Sequence, residues 1–166
     1  MNDRILIDQM CSKDWEQVRK IYLDGLSSGN ANFPEEMPSW EVWDKSHLSA
    51  CRIVARYQDK VLGWAALSSI SARPVYAGVA EVSVYVSQSS QGKGIGSSLL
   101  KNLIEMSEQN GFWTLLSRLF PENIPSLKLH HKFGFREVGR LDRIGQMNGK
   151  WRDVILLERR SHKVGN

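Results

Sequence analysis

Three glycines at alternate positions, Gly92, Gly94 and Gly96, stand with Lys93 in the stretch QGKGIGSSLL. Glycine reaches backbone conformations closed to other residues, so consecutive N–H groups there can converge on one anion. The apolar-periodic run beginning near Ile95 predicts a helix whose positive dipole end faces the same point, and Lys93 adds a full charge. An ordinary turn before a helix has the same composition, so the loop alone supports an anion cradle and a structural turn equally. Two nucleotide loops are excluded by spacing. A P-loop needs GxxxxGK[ST], and neither glycine-lysine pair of the chain is followed by Ser or Thr. A dinucleotide fingerprint needs GxGxxG and an acidic residue about 20 residues on, at the end of a second strand. Here the spacing is GxGxG and a long helix is expected next.

Cys11 and Cys51 belong to no CxxC pair and have no histidine at ligand spacing, so no metal site is expected. Both are expected to be buried free thiols. The 166 residues, 42% hydrophobic and 24% charged, fit one folded domain spanning 1–166. Lys and Arg total 22 against 18 Asp and Glu, a net charge of +4. That excess suits an anionic ligand but is too small and scattered to indicate nucleic acid. MNDRILIDQM shows no leader-like apolar region, and no apolar run approaches the ~20 residues that span a bilayer. A cytoplasmic protein with no membrane partner is expected.

Elements must hold the loop in place. ILID (5–8) reads as a strand. Ser12 is placed to cap a helix carrying Trp15, Val18, Ile21, Tyr22 and Leu26 at helical spacing. SSGNANFPEEMP is a loop, and Ser39 opens a second helix through Trp40, Trp43 and Leu48. CRIVARY and VLGWAALSSI pair across a tight turn. In VAEVSVYVS, Val82, Val84 and Val86 face one way and Glu81, Ser83 and Tyr85 the other. A helix with Leu99, Leu100, Leu103 and Ile104 follows the glycine loop, closed by Asn110-Gly111. FWTLLSRLF is a strand candidate, NIPSLKLHHKF is helical after Pro125 and stops at Gly134, and QMNG turns a final hairpin. The order β-α-α-β-β-β-α-β-α-β-β predicts an α/β (α+β) domain with a mixed, mostly antiparallel sheet.

A strand ending in VYVS, then Gln91-x-x-Gly94-x-Gly96, then an apolar helix, resembles the coenzyme A loop of the Gcn5-related N-acetyltransferase superfamily. A second hallmark is present: Asn123, then a helix ending in Lys132-Phe133-Gly134-Phe135 after His130 and His131. ARPVY (72–76), AEVSVYV (80–86), GKWRDV (149–154) and NANFPEE (30–36) are similar to stretches of its phosphinothricin and methionine sulfoximine N-acetyltransferase branch. The resemblance covers about residues 4–159. It implies a sheet of about seven strands flanked by about four helices. Two positions depart from the branch, Ala72 in place of a second arginine and Val79 in place of a threonine. Both lie on the substrate side.

The resemblance implies acetyl-CoA as co-substrate, no metal, a small amine or amino-acid acceptor, direct transfer in a ternary complex, and a homodimer. Glu81 would be the general base that removes the ammonium proton, a role chemistry allows to a strand carboxylate; alternation alone reads it as a solvated side chain, and the resemblance reverses that reading. His130 would protonate the departing thiolate. The backbone of Val84, Tyr85 and Val86 would pair with the pantetheine arm. Gln91, Gly92, Lys93, Gly94, Ile95, Gly96 and Ser97 would hold the pyrophosphate, with Asn123 and Ser126 on the arm. Arg73 would clamp a substrate carboxylate, because a guanidinium matches it bidentately. Tyr76 and Phe33 would wall the same pocket. Trp151 and Asp153 are expected to be structural. Acetylation of another amine (a protein N-terminus, a polyamine, an antibiotic) and a non-catalytic acyl-CoA sensor are the alternatives.

Overall fold

The computed structural model describes residues 4–33, 36 and 38–166. Pro34 and Glu35 of the NANFPEE stretch lie outside the described residues, as do residues 1–3 and Met37. Seven strands, β1 (Leu6–Gln9), β2 (Arg52–Tyr57), β3 (Lys60–Ser69), β4 (Val79–Val86), β5 (Thr114–Leu119), β6 (Arg136–Met147) and β7 (Lys150–Arg160), form one sheet in the order β1-β2-β3-β4-β5-β7-β6. Four α-helices, α1 (Trp15–Ser27), α2 (Trp40–Ser46), α3 (Ile95–Gln109) and α4 (Ile124–Lys132), complete the expected order. Every strand pair is antiparallel except β4–β5, which is parallel.

Burial on both faces makes β3 central. Ala65 and Leu67 join Leu99, Leu100, Leu103 and Leu115 on one side, while Trp64 and Ala66 join Trp15, Val18, Ile21 and Trp43 on the other. Each fully buried leucine of α3 contributes roughly 1.5–3 kcal/mol through removal from water. β4 keeps the expected alternation. Ala80 and Val82 are buried on the α3 side with Val84 and Val86 packed against them, and Tyr85 packs among the tryptophans opposite, 5.0 Å from Trp64.

The hydrogen bonds that hold the sheet leave one opening. β4 and β5 pair at Val79↔Thr114, Ala80↔Leu115 and Glu81↔Leu116, and then separate. β4 continues to Val86 paired only with β3, and β5 to Leu119 paired only with β7. The edge of β4 beyond Glu81 therefore faces a cleft.

Several boundaries differ from expectation. Ser12 does not cap α1; a 3-10 turn, Ser12–Asp14, precedes it. The Asp14 carboxylate accepts from the Cys11 N–H at 2.9 Å and pairs with Arg56 at 3.0 Å, which fixes the turn in place of a serine cap. Ser39 does cap α2, accepting from the Val42 N–H at 3.4 Å. That helix ends at Ser46 rather than Leu48, because the Arg52 guanidinium donates to the carbonyls of His47 and Leu48 and holds the exit extended. Cys51 is buried, its thiol pushed up to about 11 by desolvation, whereas Cys11 is exposed. Asn148 and Gly149 both take positive φ in the final hairpin turn, as an Asn-Gly pair favours. Among the described residues no helix is long and apolar enough to cross a membrane.

Candidate active site

The cleft between β4 and β5 encloses about 600 Å³ and extends from the α1–α2 loop to the start of α3. On the α3 side it is made of backbone. Gly92 and Gly94 take φ of 73° and 78°, a region that favours glycine, and a Cβ at either would project into open space. The first α3 hydrogen bond runs from the Ser98 N–H to the Gly94 carbonyl, so the amides of Ile95, Gly96 and Ser97 are left for a ligand. Gly96 lets the helix start approach its neighbours; a Cβ there would meet Leu129 at 3.3 Å and Val86 at 3.7 Å. Val84, Tyr85, Val86, Gln91, Gly92, Gly94, Ile95, Gly96, Ser97, Asn123 and Ser126 all line the cleft.

Lys93 does not line it. Its ammonium donates to the Ser89 carbonyl at 3.0 Å, beside a separate hollow of about 70 Å³ under β1. The positive charge comes instead from Lys128 and Lys132 on α4, the latter donating to Ser97 Oγ at 3.4 Å. Lys132 carries a sequence signal through the Lys-Phe-Gly-Phe hallmark and Lys128 carries none; the place of both beside the cradle depends on how α4 docks next to α3.

α4 also positions Asn123 and His130. The Asn123 side chain accepts from the Ser126 N–H at 3.4 Å as a cap, leaving its own amide N–H groups for other partners. His130 is 2% exposed, and its Nδ1 lies 2.7 Å from the Ser126 carbonyl. A carbonyl only accepts, so Nδ1 carries the proton. Burial holds the ring pKa below its ordinary value, opposed by that hydrogen bond and aided by His131. Burial thus favours the neutral ring, and Nε2 has no hydrogen-bond partner among the described residues. This state favours accepting over donating at Nε2, since a second proton would have to enter a desolvated site.

The opposite side of the cleft is lined by side chains. Asp24, Ser28, Asn30 and Asn32 come from α1 and the following loop, Glu81 and Ser83 from β4, and Ser117 and Arg118 from β5. Arg152 holds that loop, donating to the Gly29 carbonyl at 2.9 Å and Asn30 Oδ1 at 3.0 Å while lying 4.0 Å from the Phe120 ring centre. Glu81 stands at the last position of β4 that pairs with β5, with 29% of its side chain exposed, and Arg118 Nη1 approaches its Oε2 to 3.7 Å.

The three residues expected to complete the acceptor pocket are not brought to the cleft. Arg73 and Tyr76 lie exposed on the β3–β4 connection, with the guanidinium 5.6 Å from the Tyr76 ring centre. Their 3-10 turn (Pro74–Tyr76) is outside the strand pair that opens. Phe33 turns away to stack edge-on with Phe120 at 5.0 Å and bears on Gly145, so it braces the loop whose Asn30 and Asn32 line the cleft. Among the described residues no cluster of His, Cys, Asp and Glu could hold a metal. Trp151 is 59% exposed, and Asp153 pairs with Arg140 within the final hairpin.

A glycine cradle, a free strand edge and a carboxylate where the strands part form one continuous channel. The acetyltransferase (GNAT) family profile matches residues 15–135 of it. The chain belongs to that family. This acetyltransferase is 38% identical over 152 residues to YwnH of Bacillus subtilis (strain 168), provisionally named a phosphinothricin acetyltransferase; the match covers 89% of this chain and 93% of YwnH. It is 32% identical over 99 residues to the L-methionine sulfoximine/L-methionine sulfone acetyltransferase of Pseudomonas aeruginosa (strain PAO1), covering 60% of this chain and 58% of that one. The crystal structure of a phosphinothricin acetyltransferase from Sinorhizobium meliloti in complex with AcCoA superposes with a TM-score of 0.86. That comparison gives 25% identity and covers 96% of this chain and 90% of the other. The seven-stranded sheet with four helices is thus the GNAT fold, and the acetyltransferase class is shared with these relatives.

Proposed function

We propose that the protein transfers an acetyl group from acetyl-CoA to the α-amine of a small amino acid or amino-acid analogue, directly and in a ternary complex. The observation that carries this is the single cleft with two unlike ends, a main-chain anion cradle at one and Glu81 at the other. The cradle fits a pyrophosphate. Its amides are free, its glycines leave room for an approaching ligand, and Lys132 stands beside it. The free edge of β4 between Val82 and Val86 supplies amides and carbonyls for an extended arm, and one of those amides can stabilise the oxyanion of a tetrahedral intermediate.

An ammonium cannot attack an acyl carbon. Glu81 takes a proton from the acceptor ammonium, the neutral nitrogen forms a bond to the acetyl carbon, the carbon–sulfur bond breaks, and the surplus proton left on the new amide nitrogen is lost to solvent. The sulfur leaves as a thiolate, which is protonated from solvent. A thiol pKa near ~8.5 makes it an adequate leaving group without a strong acid beside it. Neutral His130 is better suited to accept a hydrogen bond from the bound arm. Phosphinothricin and methionine sulfoximine, the substrates named for the relatives, belong to the proposed acceptor class.

A homodimer is proposed as well. Val138, Leu141, Ile144 and Trp151 are exposed apolar side chains on the β6–β7 hairpin, which a second copy would cover.

The test is thiol release from acetyl-CoA with a panel of amino acids and analogues, methionine sulfoximine and phosphinothricin included, set against polyamines, peptide N-termini and aminoglycosides. Turnover with the amino acids is expected to lead the panel. Coenzyme A binding by calorimetry without transfer to any amine would replace this proposal with an acyl-CoA sensor.

A further inference from the structure

We propose that Arg118 on β5, rather than Arg73, receives the carboxylate of the acceptor, so that this site selects amines carrying an adjacent anionic group. The inference rests on the acceptor class proposed above and narrows how that class is recognised. Glu81 and Leu116 are register partners, so they share a face of the sheet, and Arg118, two residues further along β5, shares it too. The two strands stop pairing at that point, which leaves the guanidinium and the Glu81 carboxylate side by side where the cleft opens.

Arg118 is uncommitted. Its polar contact among the described residues is the 3.7 Å approach to Glu81 Oε2, longer than a hydrogen bond, and 57% of its side chain is exposed. A guanidinium offers five N–H donors in a planar fork that matches a carboxylate bidentately. The other nearby arginines are spoken for. Arg152 donates to Gly29, Asn30 and Glu122, Arg140 is held by Asp153, and Arg73 lies against Tyr76 outside the cleft. Of the cleft's two lysines, both on α4, Lys132 is engaged at the glycine cradle through Ser97.

The order of charges matters as much as their number. An α-amino acid holds its ammonium and carboxylate on a single carbon. Glu81 and Arg118 present a negative and a positive group side by side, the complement of that zwitterion. Carboxylate on Arg118 brings the ammonium to Glu81, the group proposed to deprotonate it. An acceptor with a second cation where the carboxylate would be meets repulsion instead, which disfavours polyamines.

The experiment is steady-state kinetics at saturating acetyl-CoA with the best amino-acid acceptor of the panel and with its carboxamide. Arg118→Ala is expected to raise KM for the amino acid about 10- to 100-fold, in line with loss of a charge-assisted pair, with kcat little changed. The carboxamide, a poorer substrate of the unmodified enzyme, should be nearly indifferent to the substitution. Arg118→Lys should recover only part of the loss, because an ammonium cannot form the bidentate pair. Arg73→Ala should leave both acceptors within about threefold, a change expected of an exposed side chain. The inference is overturned if Arg118→Ala depresses kcat/KM equally for acid and amide, which would mark a structural role, or if Arg73→Ala carries the KM effect. Failure of the unmodified enzyme to acetylate any amino acid would overturn the acceptor class itself and this inference with it. Normal amino-acid turnover with an indifferent Arg118 would overturn this inference alone.

Discussion

Along Val82–Val86 and Gly92–Ser97 the cleft presents main-chain groups, whereas its opposite wall presents Asp24, Asn30, Glu81 and Arg118 from separate elements. The two ends solve different problems. A ligand that never changes can be held by amides, which any sequence supplies once glycines allow the backbone its shape. An acceptor must be told from its competitors, and that requires particular side chains at particular distances. Substitutions at the two ends should therefore separate cleanly. Those at the cradle should alter coenzyme A binding, and those opposite should alter turnover or acceptor affinity.

The largest expected effect tests that separation most severely. Glu81→Gln should lower kcat by about 10²-fold or more, as loss of a general base does, while calorimetry finds coenzyme A affinity unchanged. Unaltered turnover across the pH range would remove Glu81 from the chemistry, and a parallel loss of coenzyme A affinity would erase the distinction between the ends. Gly94→Val is the reciprocal case. A β-branched residue at φ 78° is strained by roughly 1–2 kcal/mol, so affinity for coenzyme A should fall about tenfold, with the acceptor KM unmoved.

The smallest effect sharpens the view of His130, which lies on the cradle side but is buried. Its folded-state pKa is below the ordinary value of 6.5, so the unfolded chain binds the proton more readily. Stability from keeping the ring neutral is complete above that ordinary value and declines as pH falls below it, by at most about 1.4 kcal/mol per pH unit. His47, also desolvated, contributes in the same direction. Chemical denaturation between pH 7.5 and 5.5 should show a steeper loss for the parent protein than for His130→Gln, with a residual slope from His47. An identical slope in both would mean that the fold does not lower the His130 pKa.

Much of the cradle could be seen in the chain itself. Gly92, Gly94 and Gly96 are neighbours in sequence, and the helix they precede announces itself by its leucines. The same holds for the β4 alternation and for the Asn148-Gly149 turn, each set by residues close together. The acceptor wall was largely illegible. Glu81 carried a signal only through its motif, and Arg118 sits in LLSRLF with nothing local to distinguish it from a solvated strand residue. Lys93 and Arg73 look functional in sequence because they flank motifs, yet each side chain is occupied elsewhere, on the Ser89 carbonyl and against Tyr76.

Local conformation is determined by short-range sterics and periodicity, so the sequence by itself determined the order of elements, the two faces of β4 and the glycine cradle. Which charges share the cleft depends on where two strands stop pairing and on how α4 docks, both set by contacts between residues far apart in the chain. Only the tertiary structure could decide that Arg118 stands beside Glu81 where the strands part, that Lys132 reaches the cradle, and that His130 is buried.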